Sequence, residues 1–138
     1  MSDAAFMLDT NISSFIIRAA PEPLKRHLEE TPLARLHISV LTEAELRFGV
    51  AKAPHAKNLA RLVENFLSHV AVLPWTSEAA AEYARLRCDL AARGLSLTNM
   101  DMLIAAHARA AGATLVTNDA ALLRLAPLME VADWTKDS

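Results

Sequence analysis

The chain has 138 residues, 53% of them hydrophobic and 22% charged, with a formal net charge of −2. That length can bury one ordinary core, and the composition is that of a globular protein. No apolar run approaches the roughly 20 residues of a membrane span. No basic stretch followed by an apolar core marks a secretory leader. The slight negative charge argues against holding nucleic acid through bulk positive charge, while leaving room for a local basic rim. The expected setting is the cytoplasm. The one cysteine, Cys88, leaves no internal disulfide framework and reads as a small residue buried or half-buried in a helix.

Taken in order, "AAFMLD" (4–9) reads as a short strand buried on both faces that ends in a carboxylate, Asp9. "ISSFIIRAA" (12–20) has more apolar residues than one helix face needs. Its Phe15, Ile16 and Ile17 are either core or the lining of a partner groove. "PEPLKRHLEE" (21–30) opens with prolines placed for a helix start. "LHISVL" (36–41) is a second strand, and "TEAELRFGVAK" (42–52) a helix with Thr42 as N-cap and Glu45 as the third residue of a capping box. In 55–69, Leu59, Leu62, Val63, Phe66 and Leu67 recur with helical spacing. "VAVLPW" (70–75) is a third strand, which Pro74 ends or places at an edge. In 77–93, Tyr83, Leu86 and Leu90 form a stripe closed by Gly94, and a helix over 101–111 is closed by Gly112. "ATLVTN" (113–118) and "MEVADW" (129–134) complete the strands. The alternation predicts a single α/β domain over 1–138, with a central, mostly parallel sheet of about five short strands flanked by helices.

Ligands of such sheets bind beyond the carboxyl ends of the strands. Asp9 and Asp119 follow the first and fourth strands, and Glu45 comes a few residues after the second. Asp101 opens its helix, whose direction the sequence does not specify. Each acid also has a purely structural reading: capping boxes at Thr42–Glu45 and Thr98–Asp101, an N-cap at Asp119, an Asx-turn at Asp9. Read together, carboxylates at one rim repel unless a cation lies between them. Oxygen-only ligands select hard ions, Mg²⁺ or Mn²⁺, and that chemistry suits phosphodiester hydrolysis. His27, His37, His55 and His69 are scattered without ligand spacing, and His107 reads as a packing or hydrogen-bonding residue. There is no G-x-S-x-G, G-x-G-x-x-G or P-loop pattern.

Four segments in this order, "MLDTNI", "ISVLTEAELRFG", "DMLIAAHARAAG" and "LVTND", resemble the PIN-domain ribonucleases, most closely the VapC toxins of toxin–antitoxin pairs. The likeness covers 7–134, including the late "DW". It implies a PIN-like fold and a metal-dependent endoribonuclease. Its acidic Mg²⁺ or Mn²⁺ site would comprise Asp9, Glu45, Asp101 and Asp119, with Glu45 rather than Glu43 as the site glutamate. It also implies helper roles: Asn11 orienting a carboxylate, and Thr117 contacting water or phosphate. Arg47 is the first basic candidate for holding RNA backbone. A cognate VapB-like antitoxin and a toxin homodimer are the expected partners. Two departures stand out: Leu122 or Leu123 occupies the place where an aromatic residue commonly follows "TND", and "SLTNMD" lacks the usual glycine. The alternatives are an RNA-processing PIN nuclease outside a toxin–antitoxin system, a non-catalytic binding module, and a haloacid-dehalogenase-like phosphatase. The last expects D-x-D where this chain has Asp9-Thr10-Asn11.

Overall fold

The computed structural model describes residues 4–136; the ends of the expected 1–138 unit, 1–3 and 137–138, lie outside the described residues. Five strands, β1 (Ala5–Leu8), β2 (Leu36–Ser39), β3 (Ala71–Leu73), β4 (Ala113–Val116) and β5 (Val131–Ala132), form one sheet in the order β3-β2-β1-β4-β5. Every pairing is parallel, with Leu8 of β1 opposite Val116 of β4. Pro74 directly follows β3, which is an edge strand, so both of its expected effects hold together.

Helices α1 (Thr10–Arg18), α2 (Glu22–Glu30), α3 (Val40–Ala51), α4 (Lys57–His69), α5 (Ser77–Ala92), α6 (Asn99–Ala110) and α7 (Ala120–Leu123) connect the strands. Side chains alternate across a strand, and the core accordingly divides in two. Met7 and Leu115 pack with Leu86 and Leu90 of α5 and Ile104 of α6. Leu8 and Val116 pack on the other face with Ile12, Leu24, Val63 and Phe66 of α1, α2 and α4. Each fully buried Leu or Ile contributes about 1.5–3 kcal/mol. Ile12 and Ile17 of "ISSFIIRAA" are core, while Phe15 is 37% exposed, so the segment is chiefly a packing helix. Leu62, assigned to the apolar stripe of α4, is 41% exposed. Gly94 and Gly112 follow α5 and α6 with φ of 67° and 66°, the left-handed geometry that stops a helix.

Two expectations need correction. Cys88 is exposed, because α5 buries the face carrying Ala79, Leu86 and Leu90, and Cys88 lies on the other side. The helix expected from residue 42 starts at Val40, capped by Ser39, whose Oγ accepts the Leu41 N–H at 3.0 Å. Thr42 is therefore not a cap but a fully buried residue of the first turn, and Glu45 moves into the second.

Candidate active site

The chain runs outward from β1 to β2 and β3 on one side, and reaches β4 and β5 on the other. The switch point thus lies between β1 and β4, where a crevice opens beyond the strand ends. Asp9 follows Leu8 immediately; its N–H continues the sheet by donating to the Val116 carbonyl at 3.0 Å. Its carboxylate caps α1, accepting from the Ile12 N–H at 2.8 Å. Asp119 caps α7 in the same way, accepting from Leu122 N–H at 3.0 Å. Asp101 lies in the first turn of α6, where its N–H donates to Thr98 Oγ1 at 3.1 Å. The N-cap roles read for Asp119 and Thr98 are thus borne out, and Asp9 is an N-cap as well.

Asp9, Glu45, Asp101 and Asp119, with Thr10, Asn11 and Leu122, line one open cup of about 140 Å³. Leu122 also reaches the core. Burial pushes the Asp9 carboxyl up to about 6, against the lowering effect of hydrogen bonds from Thr117 and Ile12, and repulsion from Asp101 and Asp119 adds to the rise. Asp101 is raised by burial first, partly offset by Thr98, with Asp119 and Glu45 adding repulsion. Each of these two carboxylates feels other acids of the cup as neighbouring negative charge.

The helper residues differ from expectation. Thr117 is fully buried and thus closed to water or phosphate; its Oγ1 accepts the Asp119 N–H at 3.0 Å and its hydroxyl bonds the Asp9 carboxylate. It ties the two strand-end acids together. Asn11 is exposed on the cup wall, and among the described residues its side chain bonds no carboxylate. Thr10, not singled out from the sequence, hydrogen-bonds the Glu45 carboxylate and lies 3.3 Å from the buried Thr42 hydroxyl. The only signal for it was its place directly after Asp9. Arg47 is absent from the cup wall and is held on the outer surface by Glu43 at 2.8 Å and Glu64 at 2.7 Å. Both bonds raise its already high pKa, Glu64 first.

His107 supports the site from behind. It is buried on α6, with Nδ1 2.8 Å from Ser39 Oγ and a further bond to the Pro74 backbone. Proline offers only a carbonyl acceptor, so the nitrogen facing it carries the proton and Nδ1 accepts from Ser39. Burial lowers the His107 pKa, favouring this neutral form. The ring clamps α6, which carries Asp101, onto the ends of β2 and β3.

The cup offers only hard oxygen donors, which match Mg²⁺ or Mn²⁺. Among the described residues, no three His, Cys, Asp or Glu side chains are gathered tightly enough to hold an ion alone. Mg²⁺ keeps several waters when protein-bound, so the donor set fits an ion held partly through water.

An all-parallel sheet with acids grouped at its switch point defines an α/β protein whose site lies beyond the strand ends. The family model for the PIN domain matches residues 6–128. The chain is 34% identical over 134 residues to ribonuclease VapC2 of Rickettsia felis, covering 95% of this chain and 98% of that one. It is 33% identical over 129 residues to the tRNA(fMet)-specific endonuclease VapC of Salmonella typhimurium, covering 94% and 97%. The DNA-bound VapBC structure from Salmonella typhimurium aligns with a TM-score of 0.85 at 32% identity, over 95% of this chain and 98% of that one. The chain belongs to the PIN-domain family, among the VapC ribonucleases of VapBC toxin–antitoxin systems.

Proposed function

We propose that the protein is an endoribonuclease toxin that hydrolyses RNA with Mg²⁺ or Mn²⁺ held by Asp9, Glu45, Asp101 and Asp119. The observation that carries this reading is the convergence of four carboxylates from four separate segments on one cup. When bound, the cation supplies a lowered pKa for attacking water and neutralises charge on the phosphoryl group. The chain's own groups set the geometry. Asp9 sits deepest, held by Thr117 and the Ile12 N–H. Thr10, itself beside the Thr42 hydroxyl, fixes Glu45, and Thr98 fixes the first turn that presents Asp101. Exposed Asn11 is free to reach a ligand in the cup.

The Salmonella relative's name makes tRNA the first substrate to try. The likeness to VapBC complexes supports a VapB-like antitoxin as inhibitor. A toxin homodimer is part of the same proposal, and mass-resolved size exclusion tests it. No helix among the described residues is long and apolar enough to cross a membrane, in keeping with a cytoplasmic place of action. The deciding experiment incubates a tRNA pool with the protein, with and without EDTA, and maps the ends. Metal-dependent cuts bearing 5′-phosphate and 3′-hydroxyl ends are expected, and loss of cutting in Asp9→Asn. EDTA-insensitive cleavage would sink the metal assignment.

A further inference from the structure

Two grooves share walls with the acidic cup. One, about 390 Å³, shares Asp101 and Asp119 with it and is walled by Ser96, Leu97 and Thr98. The other, about 70 Å³, shares Thr10 and Glu45 and lies between Ser14, Ile17 and Arg18 of α1 and the apolar Leu46, Leu59 and Val63 of α3 and α4. The cup thus borders two further depressions rather than standing alone. Thr10, Ser14 and Arg18 are four residues apart, so they lie on one face of α1. The polar face of that helix leads from the acids to a single cation.

Arg18 is the basic residue that lines a depression bordering the cup, and it differs from the exposed arginines of α3 and α4. Arg47 is occupied by Glu43 and Glu64, and Arg61 by Asn58. Arg18 is exposed and, among the described residues, makes no ion pair or hydrogen bond. The C-terminal turn of α1 favours a basic residue through the helix dipole. That effect alone does not account for its place on the wall of a groove that begins at a site carboxylate. Helical rise puts it about 12 Å along the axis from Thr10. A strand whose scissile phosphate lies at the acids would bring a neighbouring phosphate, not the scissile one, to the guanidinium.

We propose that Arg18 is a substrate-binding residue that grips a backbone phosphate of single-stranded RNA flanking the cleaved bond. The strand runs along the α1 groove, through the acidic cup and out over Ser96–Thr98. This assignment rests on the nuclease reading, and it resolves the charge problem posed by a net charge of −2. One or two well-placed cations beside an acidic cup suffice when the bound ion offsets the acids. Planar, bidentate recognition suits arginine at a phosphate. Contacts of this kind position the strand without reading its sequence.

The test measures binding of a short, fluorescein-labelled single-stranded oligoribonucleotide by anisotropy over a range of salt. Asp9→Asn serves as the non-cleaving parent. Adding Arg18→Ala should weaken binding roughly tenfold and lower the slope of log affinity against log salt by about 0.7. Arg18→Lys should keep the slope, and Arg18→Glu should bind more weakly than Arg18→Ala. In the protein with Asp9 intact, Arg18→Ala should raise KM with kcat little changed. An Arg18→Ala protein with unaltered affinity and slope overturns the proposal. So does one that binds RNA normally but loses only its inhibition by a co-expressed antitoxin, since the groove then serves a protein partner. Binding needs no catalysis. A wild-type protein that binds RNA yet cuts none in Mg²⁺ or Mn²⁺ would unseat the nuclease reading, while a lowered slope in the Asp9→Asn background would still uphold Arg18.

Discussion

Two turns on adjacent strands use the same device with different results. After β1 and after β4 the chain places an aspartate that caps the next helix with its own carboxylate: Asp9 to the Ile12 N–H, Asp119 to the Leu122 N–H. Leu8 and Val116, the last strand residues, stand side by side. Asp9 follows its strand with no spacer and is 5% exposed. Asp119 comes two residues later, past Thr117 and Asn118, and is half-buried. Asp9 carries a carboxyl raised to about 6, chiefly by burial. An identical capping motif thus yields a stabilising cap in one turn and an electrostatically strained group in the other. The spacer, more than the residue type, makes the difference.

The largest expected effect separates the two acids by activity. Asp9→Asn should cut RNA cleavage by on the order of a thousandfold, and Asp119→Asn by roughly a hundredfold, both with the fold retained by circular dichroism. Equal losses would break the ranking by burial. Next comes the hydroxyl that joins the turns. Thr117→Val removes an acceptor from the Asp119 N–H and a donor from Asp9. It should cost about 1–3 kcal/mol in denaturant melts and roughly ten- to a hundredfold in kcat. Since Thr117 holds the Asp9 pKa down, the acid limb of the pH–rate profile should move to higher pH; a shift to lower pH would contradict the bond.

Stability against pH gives the third comparison. With its pKa raised from 3.8 to about 6, Asp9 holds its proton more tightly in the folded state. Its contribution is fully present below pH 3.8 and is lost as pH rises through 6. In metal-free buffer, Asp9→Asn should therefore be more stable than wild type by up to about 3 kcal/mol near neutrality. The gap should close on acidification, and saturating Mg²⁺ should shrink it by stabilising the wild type. A gap that widens on acidification would reverse the sign of the argument. The smallest effect belongs to Asn11→Ala, which touches neither carboxylate. Stability should move by less than about 0.5 kcal/mol, and the pH dependence of the Asp9 gap should stay put.

Local pattern carries local structure, and so strand ends, helix stripes and glycine stops were legible in the order of residues. Period-two and period-3.6 spacing depends on neighbours a few positions apart, as do the caps at Thr98 and Asp119. The four acids were legible too, through motifs that resemble the PIN domain. What they touch was not. The start of α3 turned on Ser39 outcompeting Thr42 as cap, and with that choice Thr42 became the buried neighbour of Thr10. Thr117 was assigned to solvent and is instead enclosed, because strands β1, β4 and β5 close around it. Arg47 was assigned to RNA, but α4 brings Glu64 against it from 17 residues away.

By itself, the sequence determined which residue types exist, which segments are helical or extended, and where carboxylates end strands. Only the tertiary structure decided which acid is dehydrated, which hydroxyls hold the acids, and that Arg18, among the described residues, lies beside them without a partner. Those properties depend on burial and on partners distant in the chain. Both arise when parallel strands from separate parts of the sequence are laid side by side.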